Sequence, residues 1–363
     1  MLPGMNASRH PLSRWAFAVG LVTTPMALVL FALAACIGAS ASGWGYALGG
    51  VLFSLGLLTK PWRTRRGLAR AGLGLIVAVA AVRLAVADGA RVHTERMPVP
   101  GTRYLNRLVD ERDGTLLAAH ALLLTRRLPA SDTAGFIPAL EAAFDRLSRE
   151  EGTVATPAIA TWLGLQSPDA FDTVVITPEH PSSDTAVVML HGYTGNFTVY
   201  CWQLARAARA ISARTVCPSV GPQGDWWTDD GARTLERTLA WLKGQGIRRV
   251  YLGGLSNGAV GAHVLSSRVA SAGIELRGLV LIAGAQRRAS TPPVPVLFVQ
   301  GARDTMMPAR IARDAAARLG RRATWFEVDS GHFAFLDRHA ACEEAIRGWL
   351  LQQEQRTRGQ TSR

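Results

Sequence analysis

The segment that most restricts the fold of this chain is Gly254-Leu255-Ser256-Asn257-Gly258, a G-x-S-x-G pentapeptide directly after the β-branched and apolar run Arg249-Val250-Tyr251-Leu252. It opens into Ala259-Val260-Gly261-Ala262-His263-Val264-Leu265, so the predicted order is strand, sharp turn, helix. A turn this tight holds its serine side chain up at the carboxyl end of a sheet, and the flanking glycines leave room for backbone that a Cβ would obstruct. Ser256 is the first candidate nucleophile; the competing reading is an ordinary turn serine, and its sequence partners decide between the two.

Upstream, Thr185-Ala186-Val187-Val188-Met189-Leu190 reads as a buried strand running into His191-Gly192-Tyr193-Thr194-Gly195, a turn whose backbone N–H groups can face a bound carbonyl oxygen. Downstream, the strand Val294–Gln300 is followed by Gly301-Ala302-Arg303-Asp304-Thr305, and the strand Ala323–Val328 by Asp329-Ser330-Gly331-His332-Phe333. Serine, aspartate and histidine thus follow one another in chain order. Each sits just past a predicted strand end, where an open parallel sheet has its ligand crevice.

With these motifs in order, residues 171–352 resemble an α/β-hydrolase domain of the serine esterase and lipase type. The resemblance implies a mostly parallel sheet flanked by helices, and it covers the His-Gly turn, the elbow, the Gly-x-x-Asp acid turn and the Gly-His-Phe histidine turn. It also implies the roles. His332 takes the serine proton as general base and later returns it; Asp304 holds the imidazole tautomer. The backbone N–H groups of Tyr193 and Asn257 would meet the developing oxyanion, with no cofactor or metal. Asp304 also suits a helix N-cap, a role compatible with the first. Asp229 and Asp230 are rival acids beyond the strand Arg214–Cys217, and His263 and His339 are rival histidines that fall inside predicted helices.

The part before this domain begins with membrane. Residues 15–37 form a run of about 23 without a charge, long enough to cross a hydrocarbon core of about 30 Å as a helix. Runs at 43–59 and 68–87 follow, the second flanked by Trp44, Tyr46 and Trp62 and the third containing Arg70 and Arg83, the latter placed to snorkel. A buried helical hairpin is the alternative for these two. Lys60, Arg63, Arg65, Arg66 and Arg70 lie between or at the edge of the second and third runs, whereas the loop after the first carries no charge. With Arg9 and Arg14, basic short segments on the cytoplasmic side put residue 90 onward outside, in the periplasm if the source is a bacterium, as the Ala-, Arg- and Gly-rich composition suggests. Leu33-Ala34-Ala35-Cys36 resembles a lipoprotein cleavage box, which would make Cys36 a lipidated N-terminus; further apolar runs after it favour an uncleaved span.

Of the formal charge of +13, about +7 lies in residues 1–90, the positive-inside signal itself. The remainder is spread over arginines such as Arg287-Arg288 and Arg321-Arg322 without the aromatic interleaving that stacks bases, so nucleic acid is not an expected partner. Residues 91–170 read as a helical linker or cover, with apolar spacing at Ala139, Leu140, Ala143, Phe144 and Leu147, and 353–363 as a polar, frayed tail. Cys201 and Cys217 can bridge in an oxidising compartment, though buried thiols are the preferred expectation. About ten residues separate the strand Gly278–Ala283 from the next, too few for a cap, so Trp226-Trp227 is a candidate apolar acyl pocket, with core packing the alternative.

These readings combine into a membrane-anchored serine hydrolase, most simply a carboxylesterase for lipophilic or envelope esters, with the bilayer and a small-molecule or lipid ester as partners. A catalytically silent α/β-hydrolase domain used as an extracellular binding or sensing module is the alternative.

Overall fold

In the computed structural model, residues 11–59, 62–181, 184–287 and 290–361 are described, with side chains except at 11–14, 62–65 and 357–361. Arg9, Lys60 and Arg288 lie outside the described residues, as do the side chains of Arg14, Arg63 and Arg65. The chain forms two compact units: the part up to Ala85 together with Leu108–Leu117, and Val86–Arg107 together with Ala118 onward.

The first unit holds α1 (Pro11–Cys36), α2 (Ala41–Leu58) and α3 (Trp62–Val86). Within them Trp15–Cys36, Ala41–Leu58 and Arg66–Val86 are long and apolar enough to cross a membrane. Their outer surface is apolar where a water-soluble bundle would be polar: Trp15, Val22 and Met26 on α1 and Val77 and Val82 on α3 are exposed. Helices α2 and α3 approach closely through glycine. A Cβ at Gly56 would lie 2.4 Å from the Ala69 nitrogen, and one at Gly72 would lie 2.4 Å from that of Phe53. Small residues of this kind allow the backbone contact that lipid-embedded helices depend on.

Arg83 does not snorkel. It is buried, with Nη1 3.2 Å from Asp110 Oδ2 and Nη2 donating to the Val109 carbonyl at 2.8 Å. Asp113 accepts from the Ser40 N–H at 2.9 Å and from its hydroxyl at 2.7 Å, while Ser40 Oγ caps α2 by accepting from Gly43 N–H. One short segment, 109–113, therefore holds both the α1–α2 loop and the end of α3, on the same side of this unit.

The second unit is built on eight strands: β1 (Val92–Met97), β2 (Phe171–Ile176), β3 (Thr185–Leu190), β4 (Arg214–Pro218), β5 (Arg249–Leu255), β6 (Glu275–Ile282), β7 (Val296–Gly301) and β8 (Ala323–Val328). Their order is β1-β2-β4-β3-β5-β6-β7-β8, with β1–β2 and β2–β4 antiparallel and every pairing from β4 to β8 parallel. Strands β3 and β7 are buried along their whole length, which is why they read as continuous apolar runs; helices cover both faces of such a sheet. Those preceding the parallel part are α4 (Leu105–Leu108), α5 (Glu111–Leu124, shared with the first unit), α6 (Ala130–Thr133), α7 (Phe136–Glu151) and α8 (Pro157–Trp162). Those that alternate with its strands or follow them are α9 (Thr198–Ala208), α10 (Asp229–Gly244), α11 (Asn257–Ser271), α12 (Ala309–Leu319), α13 (Ala334–Asp337) and α14 (His339–Thr361).

Three expectations change. The stretch 91–170 is not wholly helical, because 92–97 pairs along β2 as an edge strand whose polar middle, Thr94-Glu95-Arg96, breaks the apolar alternation that would mark it in the sequence. The polar tail continues α14 as far as Thr361 rather than fraying from 353. Cys201 on α9 and Cys217 on β4, with Cα atoms 6.1 Å apart, form a disulfide instead of two buried thiols. As expected, no helix is inserted between β6 and β7 among the described residues.

Alkylation of the denatured, unreduced protein with a maleimide polymer is expected to add two adducts, at Cys36 and Cys342, rising to four after reduction. Four adducts without reductant would contradict the bridge.

Candidate active site

The elbow is held by backbone packed on backbone. Ser256 has φ 55° and ψ −119°, a left-handed conformation costly for a residue with a side chain and characteristic of sites where surrounding structure enforces it. The enforcement is visible at the two glycines. A Cβ at Gly254 would fall 2.1 Å from the Gly258 carbonyl oxygen, and one at Gly258 would fall 1.9 Å from that of Leu190. The Ser256 N–H donates to Ile282 O at 2.9 Å, tying the turn to β6. As a result Ser256 Oγ points away from the chain at the carboxyl ends of β5 and β6.

Two neighbouring loops bring the expected partners to it. His332 Nε2 lies 3.0 Å from Ser256 Oγ, and His332 Nδ1 lies 2.9 Å from Asp304 Oδ2. Both His332 and Asp304 are buried. A carboxylate only accepts, so Nδ1 carries the ring proton and Nε2 is free to accept the serine hydroxyl proton. Asp304 is itself fixed: Oδ2 also accepts from Gln300 Nε2 at 2.9 Å, and Oδ1 accepts from Met307 N–H at 2.7 Å. The local turn role and the pairing with His332 coexist, one oxygen for each.

The rivals do not reach this point. Asp229 and Asp230 are exposed at the start of α10, with Asp230 paired to Arg233. His263 is buried on α11, where loss of hydration pushes its imidazole down to about 4, and its Nδ1 faces the Gln286 N–H. His339 begins α14, with its imidazole lowered by burial and by the nearby Arg146.

The His-Gly turn abuts the elbow. A Cβ on Gly192 would lie 2.9 Å from the Leu255 oxygen and 3.1 Å from Ser256 Cβ, so only glycine lets Tyr193 follow so close to the serine. His191 braces the turn from within. It is buried and held neutral by desolvation, pushed down to about 4; Nδ1 donates to Gly192 O at 2.8 Å and Nε2 accepts from Val220 N–H at 3.0 Å. Asn257 is the first residue of α11, so its N–H has no acceptor within the helix. Tyr193 thus follows the glycine that packs on the serine, and Asn257 follows the serine itself. Asn257 Nδ2 additionally binds Gln223 O at 2.8 Å.

The tryptophan pair divides. Trp226 is completely buried; it packs against Gly261 and donates its indole N–H to His191 O at 2.9 Å. It supports the turn from the core, the packing alternative for this residue. Trp227 is 47% exposed. A different indole stands at the turn: Trp162 Nε1 donates to Thr194 O at 2.6 Å, and both Trp162 and Tyr193 remain partly exposed. No motif announces Trp162 or Gln300. Among the described residues no cluster of three or more His, Cys, Asp or Glu is placed to hold a metal ion.

The family described as TAP-like protein matches residues 279–362, which carry the acid and histidine turns. No curated protein matches in sequence. Among solved structures, similarity extends to Est1E from Butyrivibrio proteoclasticus (12% identity, TM-score 0.41), over 51% of this chain and 94% of that one. It extends also to a thermostable esterase from Pseudomonas putida (15%, TM-score 0.41), over 50% and 78% of the two chains. XC6422 from Xanthomonas campestris, described as an α/β serine hydrolase without lid, is 21% identical with TM-score 0.39 over 52% and 89%. By its mostly parallel eight-stranded sheet and its strand-elbow-helix, the unit from β1 to α14 has the α/β-hydrolase fold, preceded in the chain by three helices long and apolar enough to cross a membrane.

Proposed function

We propose that the protein is a membrane-anchored serine hydrolase, most simply a carboxylesterase acting on lipophilic or cell-envelope esters. The observation that carries this reading is the continuous path from Ser256 Oγ through the His332 imidazole to the buried Asp304 carboxylate, at 3.0 and 2.9 Å. In this reading His332 Nε2 removes the hydroxyl proton as Ser256 Oγ attacks the ester carbonyl, and Asp304 stabilises the resulting imidazolium. The carbonyl oxygen becomes an oxyanion accepting from the Tyr193 and Asn257 N–H groups. The imidazolium then protonates the departing alkoxide, leaving an acyl group on Ser256. Water, deprotonated by the same imidazole, releases the acid and restores the serine. Thioesters, lactones and amides would follow the same course.

A lipophilic substrate is favoured by the exposed ring of Tyr193 in the His-Gly turn and the partly exposed Trp162 bonded to the same turn, with no helix inserted between β6 and β7 among the described residues. The anchor reading rests on the apolar outer faces of α1 and α3. An outward-facing hydrolase domain, periplasmic in a bacterial inner membrane, is supported by the uncharged α1–α2 loop and the basic α2–α3 segment. The Cys201–Cys217 bridge fits an oxidising compartment.

Detergent-solubilised protein is expected to hydrolyse p-nitrophenyl butyrate. Ser256→Ala and His332→Ala should each lower kcat by roughly 10⁴-fold or more, and Asp304→Asn by about 10⁴-fold. Gly192→Ala, which crowds the elbow beside the oxyanion turn, should cost about 10²-fold in kcat. Hydrolysis that survives Ser256→Ala would overturn the assignment. For the topology, alkaline phosphatase fused after residue 90 should be active in a bacterial host and inactive when fused within the α2–α3 loop; the reverse pattern would place the domain inside.

A further inference from the structure

A second carboxylate stands behind the site, contributed by a segment with no catalytic motif. Asp132, on the short α6 well before the parallel strands, is 4% exposed. Its Oδ1 accepts from the His332 backbone N–H at 2.8 Å and from the Thr305 N–H at 3.1 Å, and its Oδ2 accepts from the Thr305 hydroxyl. Ser131 Oγ lies 3.2 Å from Thr305 Oγ1 on the same side. Thr305 follows Asp304 directly. One buried carboxylate therefore grips the residue after the acid and the histidine itself.

We propose that Asp132 is a positioning residue that sets the separation of Asp304 and His332 by clamping their two loops together. Three features make the clamp specific. First, Gly331 is shaped to it, since a Cβ there would lie 2.8 Å from Asp132 Oδ1 and 2.9 Å from its Cα. Second, the acid and histidine loops also touch each other at glycine, a Cβ on Gly301 falling 2.1 Å from the Gly331 oxygen. Third, the next helix reinforces the contact: Phe136 at the start of α7 stacks on Phe333, with ring centroids 3.9 Å apart. The two loops leave different strands, β7 and β8, and without Asp132 the Thr305 donors and the buried His332 N–H would lose a shared charged acceptor. Loosening them lengthens the Nδ1–Oδ2 contact before it affects substrate binding, because Asp132 meets only main chain and hydroxyls of these loops and not the open side of Ser256.

The proposal rests on the reading of Ser256, His332 and Asp304 as the reacting set, and the two fail in different ways. Asp132→Asn keeps the volume but turns an amide donor toward Thr305 or His332, and Asp132→Ala removes the acceptor. Asp172→Asn serves as the control, altering a buried carboxylate that binds Arg103 and Gln166 away from the serine. In the full chain in detergent, kcat for p-nitrophenyl butyrate should fall about 10-fold in Asp132→Asn and about 100-fold in Asp132→Ala, with KM within about threefold of wild type. Asp172→Asn, even with a comparable loss of Tm, should keep kcat within about twofold. The low-field proton resonance of the His332–Asp304 hydrogen bond should broaden or vanish in both Asp132 variants and persist in Asp172→Asn. Folded Asp132 variants with wild-type kcat, a loss confined to KM, or an unchanged low-field proton would each overturn the clamp. A wild type without turnover would instead defeat the functional reading, and the low-field proton would still decide whether Asp132 orders the pair.

Discussion

The site depends on a single stretch of unfavourable backbone, the left-handed conformation of Ser256 between β5 and α11. Such a conformation costs of order 1–3 kcal/mol and persists only where neighbouring structure leaves no alternative. Here the alternatives are removed by main chain in close contact: Gly254 against Gly258, Gly258 against the end of β3, Gly192 against Ser256 itself, and Gly284 against the Ser256 carbonyl. Together these contacts join the ends of β3 and β6 to the elbow that follows β5. The same packing that holds the serine in this turn also brings the His-Gly turn beside it. The place of Ser256 and that of the His-Gly turn are therefore consequences of one constraint.

The acid and the base reach the serine by another route. Asp304 and His332 sit on loops from adjacent parallel strands, and long polar side chains at loop tips are the groups most readily displaced by small backbone shifts. Their order here comes from hydrogen bonds that spend one carboxylate oxygen on the functional contact and the other on the backbone. Asp304 divides its oxygens between His332 and Met307, and Asp132 spans the two loops, its Oδ1 accepting from both the His332 and Thr305 N–H groups and its Oδ2 from the Thr305 hydroxyl. His191 has a matching structural role on the other side of the serine, neutral and buried, with both ring nitrogens engaged by main chain. The unit of α1–α3 follows the same physical logic with the polarity inverted, its apolar residues outside and its one buried arginine, among the described side chains of α1–α3, paired to Asp110.

Legibility in the sequence tracked how local each signal is. The β5 elbow, the acid turn and the histidine turn are short motifs at strand ends, and Ser256, Asp304 and His332 meet as their order suggested. The three apolar helices are legible too, because each is a run of bilayer-crossing length, the first two free of charge and the third carrying only arginines. What stayed hidden depends on contacts distant in the chain. Strand β1 has too little alternation to stand out, and only its ladder to β2 makes it a strand. Trp226 looked like a pocket residue because burial is not written in an adjacent pair of tryptophans; its place in the core follows from the glycine at 261. Asp132 is separated from His332 by 200 residues and carries no local signature, so only the fold brings the two together.

The central claim is that Ser256 is an activated nucleophile, and covalent labelling with a fluorophosphonate probe tests it without assuming a substrate. Intact protein in detergent should take one probe molecule, mapped by peptide mass spectrometry to Ser256, with labelling abolished in Ser256→Ala and reduced by orders of magnitude in His332→Ala. A correctly folded wild type that takes no label, or takes it at another serine, would contradict the account and favour a catalytically silent domain that binds or senses a ligand outside the cell.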